Sequence, residues 1–277
     1  MKTRQSQRQG RIIKMNRYKF ENNNKSHLHL LDGRPLTGVS SVGAVISKPL
    51  TYWAAGLAVA EFGWLNPKKH TPEECAVACE EGLERIKKLE RDEYAKLLDK
   101  AYRAHASTLK EKASEGTDRH ELVEGFVRDC MAEGGITKNA HPEEILPFVS
   151  WAFKDVKKFL WAEAHCYSEK WWLGGISDVG AELNDGGIAV IDIKSSREAY
   201  PSQFWQCAGY DILISENGGY SATGELLFEL GGAKIDRHIV FPFGAKNPTA
   251  EIRFDVEQNK EAFLASLVIL RQLQNYS

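Results

Sequence analysis

No apolar run in this chain reaches the roughly 18 residues needed to cross a bilayer. The apolar stretch 54–60 (AAGLAVA) is closed by Glu61. No apolar core of a secretory signal stands near the start. Neither sign of charge dominates: 36 Lys and Arg stand against 38 Asp and Glu, a net charge of −2. A nucleic-acid partner would therefore have to be met by a local patch. Five cysteines at irregular spacing do not form a disulfide framework, which fits a reducing, cytoplasmic location and no membrane partner. Cys75 and Cys79, four apart on an expected helix, read as two small buried residues rather than a metal pair. Internal repeats and long low-complexity segments are also missing.

What is present is an ordinary globular composition, 43% hydrophobic and 27% charged over 277 residues. That length suits one large domain or a domain with a sizeable insertion. Residues 1–26 read as a basic N-terminal arm. Lys2, Arg4, Arg8, Arg11, Lys14, Arg17 and Lys19 precede the first acid, Glu21. The arm either touches nucleic acid or, with Met15 as the start, lies in part outside the native chain. Residues 27–277 read as a single domain, mainly helical over 27–160 and sheet-based over 161–277.

Alternation over 27–37 and Asp32-Gly33 predict a small hairpin. Residues 50–62 predict a helix. Thr71-Pro72-Glu73-Glu74 is a helix start with a capping box. Helical patterns follow over 84–112 and 116–132, and HPEE opens another from Pro142 to about Leu160. The period then changes to that of strands over 161–169, 171–183 and 188–194, with Asn184-Asp185-Gly186-Gly187 as a hairpin turn. Pro201 opens a helix to about Ser215. Strands over 224–230, 235–243 and 251–256 precede a closing helix over 257–274. The order is that of an α/β (α+β) fold with a mixed sheet flanked by helices.

The chemistry concentrates between Gly174 and Tyr210. Asp192 and Lys194, two apart on a strand, share one face, while Ile191 and Ile193 face a core. A tight turn brings Asp178 next to Asp192. Two neighbouring carboxylates repel unless a cation neutralises them. Oxygen-only ligands suit Mg²⁺ or Mn²⁺, and the Ile193 backbone carbonyl can add a ligand. Lys194, beside a metal and partly desolvated, is expected to have a lowered pKa. It would then orient or deprotonate a water, or stabilise charge building on phosphorus. Ser195 and Ser196 follow it and can donate to a phosphate. Trp171, Trp172 and Trp205 read as core packing, with stacking on unpaired bases as the alternative.

These motifs resemble the PD-(D/E)XK nuclease superfamily, specifically its RecB-like, phage-type exonuclease branch. The resemblance rests on Gly175-Ile176-Ser177-Asp178, Asp192-Ile193-Lys194, Gln206-Cys207-Ala208-Gly209-Tyr210 and Gly116-Thr117-Asp118-Arg119-His120. Each is weak alone; their combination is specific. The resemblance implies a restriction-endonuclease-like core. It also implies His120, Asp178 and Asp192 as metal ligands, Lys194 as catalytic, and Gln206 and Tyr210 as supporting or DNA-contacting residues. Glu163 stands on the strand before Asp178, where relatives often carry an acid. Thr37 to Val42 resembles a segment near the start of phage members and is expected to line a DNA channel. Some relatives bind an iron–sulfur cluster through one cysteine ahead of the motifs and three after them. Only Cys207 follows Asp178, so no cluster is expected.

The expectation is a Mg²⁺-dependent deoxyribonuclease, an exonuclease of recombination or repair in a bacterial or phage-infected cell. Its partners would be DNA and a homo-oligomer or recombination protein. The alternatives are a structure-specific endonuclease on the same core and a non-catalytic DNA-binding recombination partner.

Overall fold

The computed structural model describes residues 17–23, 26–46, 50–137, 139 and 141–275, without the side chains of Asn23, Ser26, Ile46 and 111–117. Basic residues 2 to 14 lie outside this set. The chain divides into two compact units, 1–47 with 117–277, and 48–116.

The first unit opens on strands β1 (Tyr18–Asn23), β2 (Ser26–Leu31) and β3 (Arg34–Pro35), an antiparallel sheet. Asp32 (φ 50°) and Gly33 (φ 73°) make the left-handed turn that a two-residue hairpin needs. The stretch assigned to a basic arm therefore contains a strand, because Tyr18 is buried against Tyr167 and pairs with Leu31.

The second sheet is built from β4 (Thr37–Gly38), β5 (Val156–Ser168), β6 (Leu173–Leu183), β7 (Ile188–Lys194), β8 (Gly219–Tyr220), β9 (Leu226–Phe228), β10 (Arg237–Pro242) and β11 (Glu251–Arg253). Its order is β11-β10-β7-β6-β5-β8-β9, with β4 also on β6. Pairs β7/β10 and β4/β6 are parallel and the others antiparallel, so the sheet is mixed. Helices cover both faces. On one, α4 (Arg91–Glu133) and α5 (Leu146–Asp155) bring Phe126, Val127 and Phe148 onto Ile191, Ile193 and Phe241. On the other, α1 (Val39–Gly43), α6 (Pro201–Asn217) and α7 (Val256–Asn275) bring Val39, Phe204 and Phe263 onto Cys166, Val190 and Val240. Fully burying a side chain such as Phe148 or Phe263 contributes roughly 1.5–3 kcal/mol.

Several boundaries differ from the sequence expectation: the strands expected over 224–230 and 251–256 shorten to Leu226–Phe228 and Glu251–Arg253, and two helical stretches change more. The helix opened by HPEE ends at Asp155, because Val156 onward pairs with β6, and Lys157 and Lys158 both reach Glu182 (2.6 and 3.0 Å). The segments expected as separate helices over 84–112 and 116–132 join in α4, with no break at Gly116.

In the second unit, α2 (Thr51–Ala60) and α3 (Pro72–Lys87) precede the first part of α4. The capping box forms as expected: Glu74 N donates to Thr71 Oγ1 (3.2 Å) and Thr71 N to Glu74 Oε2 (2.8 Å). Gly82 and Ala101 are the buried residues among those described in 48–116. Cys79 is exposed and Cys75 half-buried, so the pair is not the buried pair expected. Among the described residues, no helix is long and apolar enough to cross a membrane.

Candidate active site

Strands β6 and β7 pair from Glu182↔Ile188 to Val179↔Ile191. Asp178 and Asp192 occupy the next position on each strand, just past the last pair. On the same edge of β6, β4 pairs only with Leu173 and Gly174. Residues 175–178 thus lie between two partner strands, and Asp178 stands at the lip of that notch.

Strand alternation decides which side chains meet there. Ile191 and Ile193 pack into the α4/α5 core. Asp192 and Lys194 face the α6 side, and Asp192 is 0% exposed. Lys194 Nζ lies 2.5 Å from Asp192 Oδ2. Apart from this contact, neither Asp192 oxygen has a polar partner among the described residues. Asp178 Oδ2 accepts from the Ile193 N–H (2.8 Å) and lies 3.3 Å from His120 Nε2. The site therefore joins α4, β6 and β7, and brings together His120, Asp178, Asp192 and Lys194.

The two carboxyls are driven apart electrostatically. Burial pushes Asp192 up to about 6; Lys194 opposes this and the Asp178 charge adds to it. Burial also acts on Asp178, yet the His120 hydrogen bond, the Lys194 charge and the Ile193 N–H outweigh it and hold Asp178 below the ordinary range. Lys194 departs from expectation. Burial lowers its pKa, but Asp192 and Asp178 outweigh that, and the net direction is upward. Without a cation, the carboxylates hold the ammonium charged.

Among the described residues, no group of three or more His, Cys, Asp or Glu is arranged to hold a metal. His120 is spent on Asp178, and Lys194 occupies Asp192. The donors nonetheless suit a hard divalent cation. Asp192 is wholly buried, and while Lys194 Nζ lies against its Oδ2, its Oδ1 has no hydrogen-bond partner among the described residues, so that buried oxygen is open to a cation. Asp178, Asp192 and the Ile193 carbonyl are oxygen donors of the kind Mg²⁺ and Mn²⁺ prefer.

Glu163 lies on β5 in the position that would face Asp178, between the pairs Ala162↔Val179 and Ala164↔Ser177. Its φ is +48°, a left-handed backbone in mid-strand. Such strain costs on the order of 1–3 kcal/mol and clusters at functional sites. Burial, then the charges of Glu124 and Asp178, raise its pKa.

Helix α6 closes the other side. Tyr200 N donates to Gln203 Oε1 (2.8 Å) at its start, and Pro201 fills the first turn. Gln206 Nε2 donates to Tyr210 OH (2.9 Å). Burial and the nearby carboxylates hold Tyr210 as a neutral phenol. A Cβ on Gly175 would lie 2.7 Å from Tyr210 Cε1, so this glycine lets the tyrosine lie against the strand. Ser196 is engaged elsewhere: its hydroxyl donates to Glu198 O (2.8 Å) and accepts from Gln203 Nε2 (3.2 Å). Ser195 is exposed. Neither serine is brought to the carboxylates by a contact. The side chain of Thr117 lies outside the described residues.

A cleft of about 600 Å³ adjoins Asp178 and Glu163. Asp178, Glu163 and Tyr210 form one wall, and Thr37 to Ser41 another. His27 and His29 also line it. Sequence reasoning passed over these two, although the alternation over 27–31 already placed them on one strand face. A buried network behind α6 was missed too. Asp211 Oδ2 meets His238 Nε2 (3.2 Å) and Lys260 Nζ (2.9 Å), and Ser215 donates to Oδ1 (2.9 Å). Asp211 directly follows Tyr210, so this clamp fixes the helix carrying Gln206 and Tyr210.

No protein-family model matches this chain, and a search of curated proteins returns no match.

Proposed function

We propose that this chain is a divalent-cation-dependent nuclease that hydrolyses DNA phosphodiester bonds. On this reading its sheet is a restriction-endonuclease-like core of the RecB-like, phage-type exonuclease kind. One observation carries the reading. Asp178 and Asp192 project from the positions just past the last β6/β7 pair, and the wholly buried Asp192 has Lys194 against it.

Asp178, Asp192, the Ile193 carbonyl and, once released from Asp178, His120 would hold the cation. Mg²⁺ in such a site supplies positive charge that polarises a phosphoryl oxygen and acidifies water. The chain's own groups do the rest. The Ile193 N–H keeps the Asp178 carboxylate in one orientation. Lys194 carries its proton at Nζ beside the scissile phosphate, where it orients the attacking water and stabilises charge as phosphorus becomes five-coordinate. Gln206 and Tyr210 are tied to each other on α6, and Tyr210 presents a neutral phenol to the cleft. Glu163 faces the same cleft.

The test is incubation of end-labelled linear DNA and closed circular DNA with and without Mg²⁺. Loss of linear DNA alone, only with the cation, is the expected result. Cutting of the circle moves the assignment to an endonuclease. No cleavage of either form rejects the nuclease reading and leaves a DNA-binding role.

A further inference from the structure

Beyond the carboxylates, the structure carries a second cluster of groups suited to nucleic acid. It lies at the turn 169–172 between β5 and β6, next to the cleft. Trp172 has φ +50°, which is unusual for a bulky residue, and its indole packs in part against the Tyr18 and Tyr167 cluster, which fixes the ring. Arg34 stacks over the Trp172 ring at 4.8 Å, and Lys170 over the Trp171 ring at 4.8 Å. Both cations are exposed and both indoles half-buried.

The turn is pinned on three sides. Trp171 N donates to Ser168 Oγ (2.9 Å), which donates to Glu216 (2.6 Å). Arg271 donates to the Trp171 carbonyl. Trp172 Nε1 donates to Pro35 O (3.0 Å), and Thr37 N donates to Trp172 O (3.2 Å). Pro35 and Thr37 are themselves part of the cleft wall that leads to Asp178. The chain also enters the described fold here: Arg17 is bonded to Asp32 and, at 3.0 Å, to Glu169. The sixteen residues before Arg17 include Lys2, Arg4, Arg8, Arg11 and Lys14 and no acid.

We propose that Trp172 and Trp171, with Arg34 and Lys170, form a stacking platform that receives a single-stranded nucleic-acid end and feeds it to the cleft. Rigid aromatic faces stack unpaired bases regardless of sequence, and fixed cations beside them neutralise phosphates. The pinned turn means that little ordering remains to be done on binding. A duplex end offers fewer free base faces, so the platform selects frayed or single-stranded termini. The inference rests on the nucleic-acid reading above, deepens it, and needs no cleavage to be tested.

The experiment is fluorescence anisotropy of a labelled oligothymidylate with the full chain in EDTA, so that nothing is cut. A blunt hairpin duplex serves as comparison. Trp172→Ala should weaken oligothymidylate binding roughly tenfold or more, the worth of one stacked base. Trp172→Phe, which keeps a π face, should bind within about twofold of wild type. Because Trp172→Ala can also disturb folding, the exposed pair Arg34→Gln with Lys170→Gln gives an independent arm. It should weaken binding and flatten the salt dependence by about two counterions. Unchanged affinity in that double variant overturns the platform, as does equal loss of hairpin binding. If the platform variants lose binding while wild type cuts no DNA in Mg²⁺, the platform stands and the nuclease reading falls. If wild type cuts DNA and the variants bind normally, only the platform falls.

Discussion

Lys194 Nζ stands 2.5 Å from the Oδ2 atom of Asp192, a carboxylate with no solvent exposure and no other polar partner among the described residues. Removing the lysine leaves a buried charge without a partner. Such a loss costs about 3–5 kcal/mol, whereas replacing both members by neutral groups is often close to neutral. Lys194→Met should therefore lower the urea midpoint strongly in metal-free protein, and Asp192→Asn added to it should restore most of the loss. A destabilisation that adds across the two substitutions would show that the pair is not coupled.

A cation at the carboxylates should stabilise the fold by mass action, about 2.7 kcal/mol at a hundredfold excess over Kd. Thermal melts with Mg²⁺ or Mn²⁺ should rise for wild type and stay flat for Asp192→Asn. An equal rise in both proteins would locate the cation elsewhere.

Gly175→Ala should act through Tyr210. The added methyl would sit 2.7 Å from the ring. Overpacking of that kind costs about 1–3 kcal/mol and would push Tyr210 from the cleft wall and disturb its bond to Gln206. Gly180→Ala, whose methyl would meet Trp161 at 2.2 Å, disturbs packing outside that wall. Activity per folded molecule should fall for Gly175→Ala and be retained for Gly180→Ala. Activity loss in both variants that scales only with stability would remove the special role of Gly175.

Glu163 holds a left-handed backbone in a strand, so Glu163→Gly should gain up to about 1 kcal/mol from relieved strain. It should also lose activity by removing an acid from the cleft. Gained stability with unchanged turnover would make Glu163 a purely structural residue.

Acid should destabilise the first unit through His29 and His165. Burial, with the neighbouring His165 and His27, lowers His29 to about 4, and burial lowers His165 to about 4. Both are then neutral in the folded state, while the unfolded chain protonates near pH 6.5. The unfolded state binds more protons between these values, so stability is full above pH 6.5 and falls as pH drops toward 4. The loss should be on the order of 2 kcal/mol after allowance for residual solvation. Denaturant melts across that range check it, and His165→Gln should flatten the slope.

Much of the site was legible because strand alternation is a two-residue code. Asp192 and Lys194 on one face and Ile191 and Ile193 on the other follow from it directly. The Thr71 capping box was legible for a similar reason, since its partners lie three residues apart. The rest depended on distant partners. Val156 to Leu160 carries a helical pattern, but pairing with β6 makes it strand. Tyr18 becomes a strand residue because Tyr167, far away in sequence, covers its ring. The upward Lys194 shift is not legible in the sequence, because two carboxylates outweigh its burial, a balance that needs distances. The Trp172 platform required the φ of one residue and the position of Arg34, neither of which the sequence pattern carries.

The most direct test is the rate of phosphodiester hydrolysis on end-labelled linear DNA in Mg²⁺, for wild type and Lys194→Ala, with folding checked alongside. Loss of one preorganised charge-stabilising group typically costs about a hundredfold to a thousandfold in rate, and a drop of that size in folded protein is the expected result. Equal rates in the two proteins would contradict the proposed mechanism.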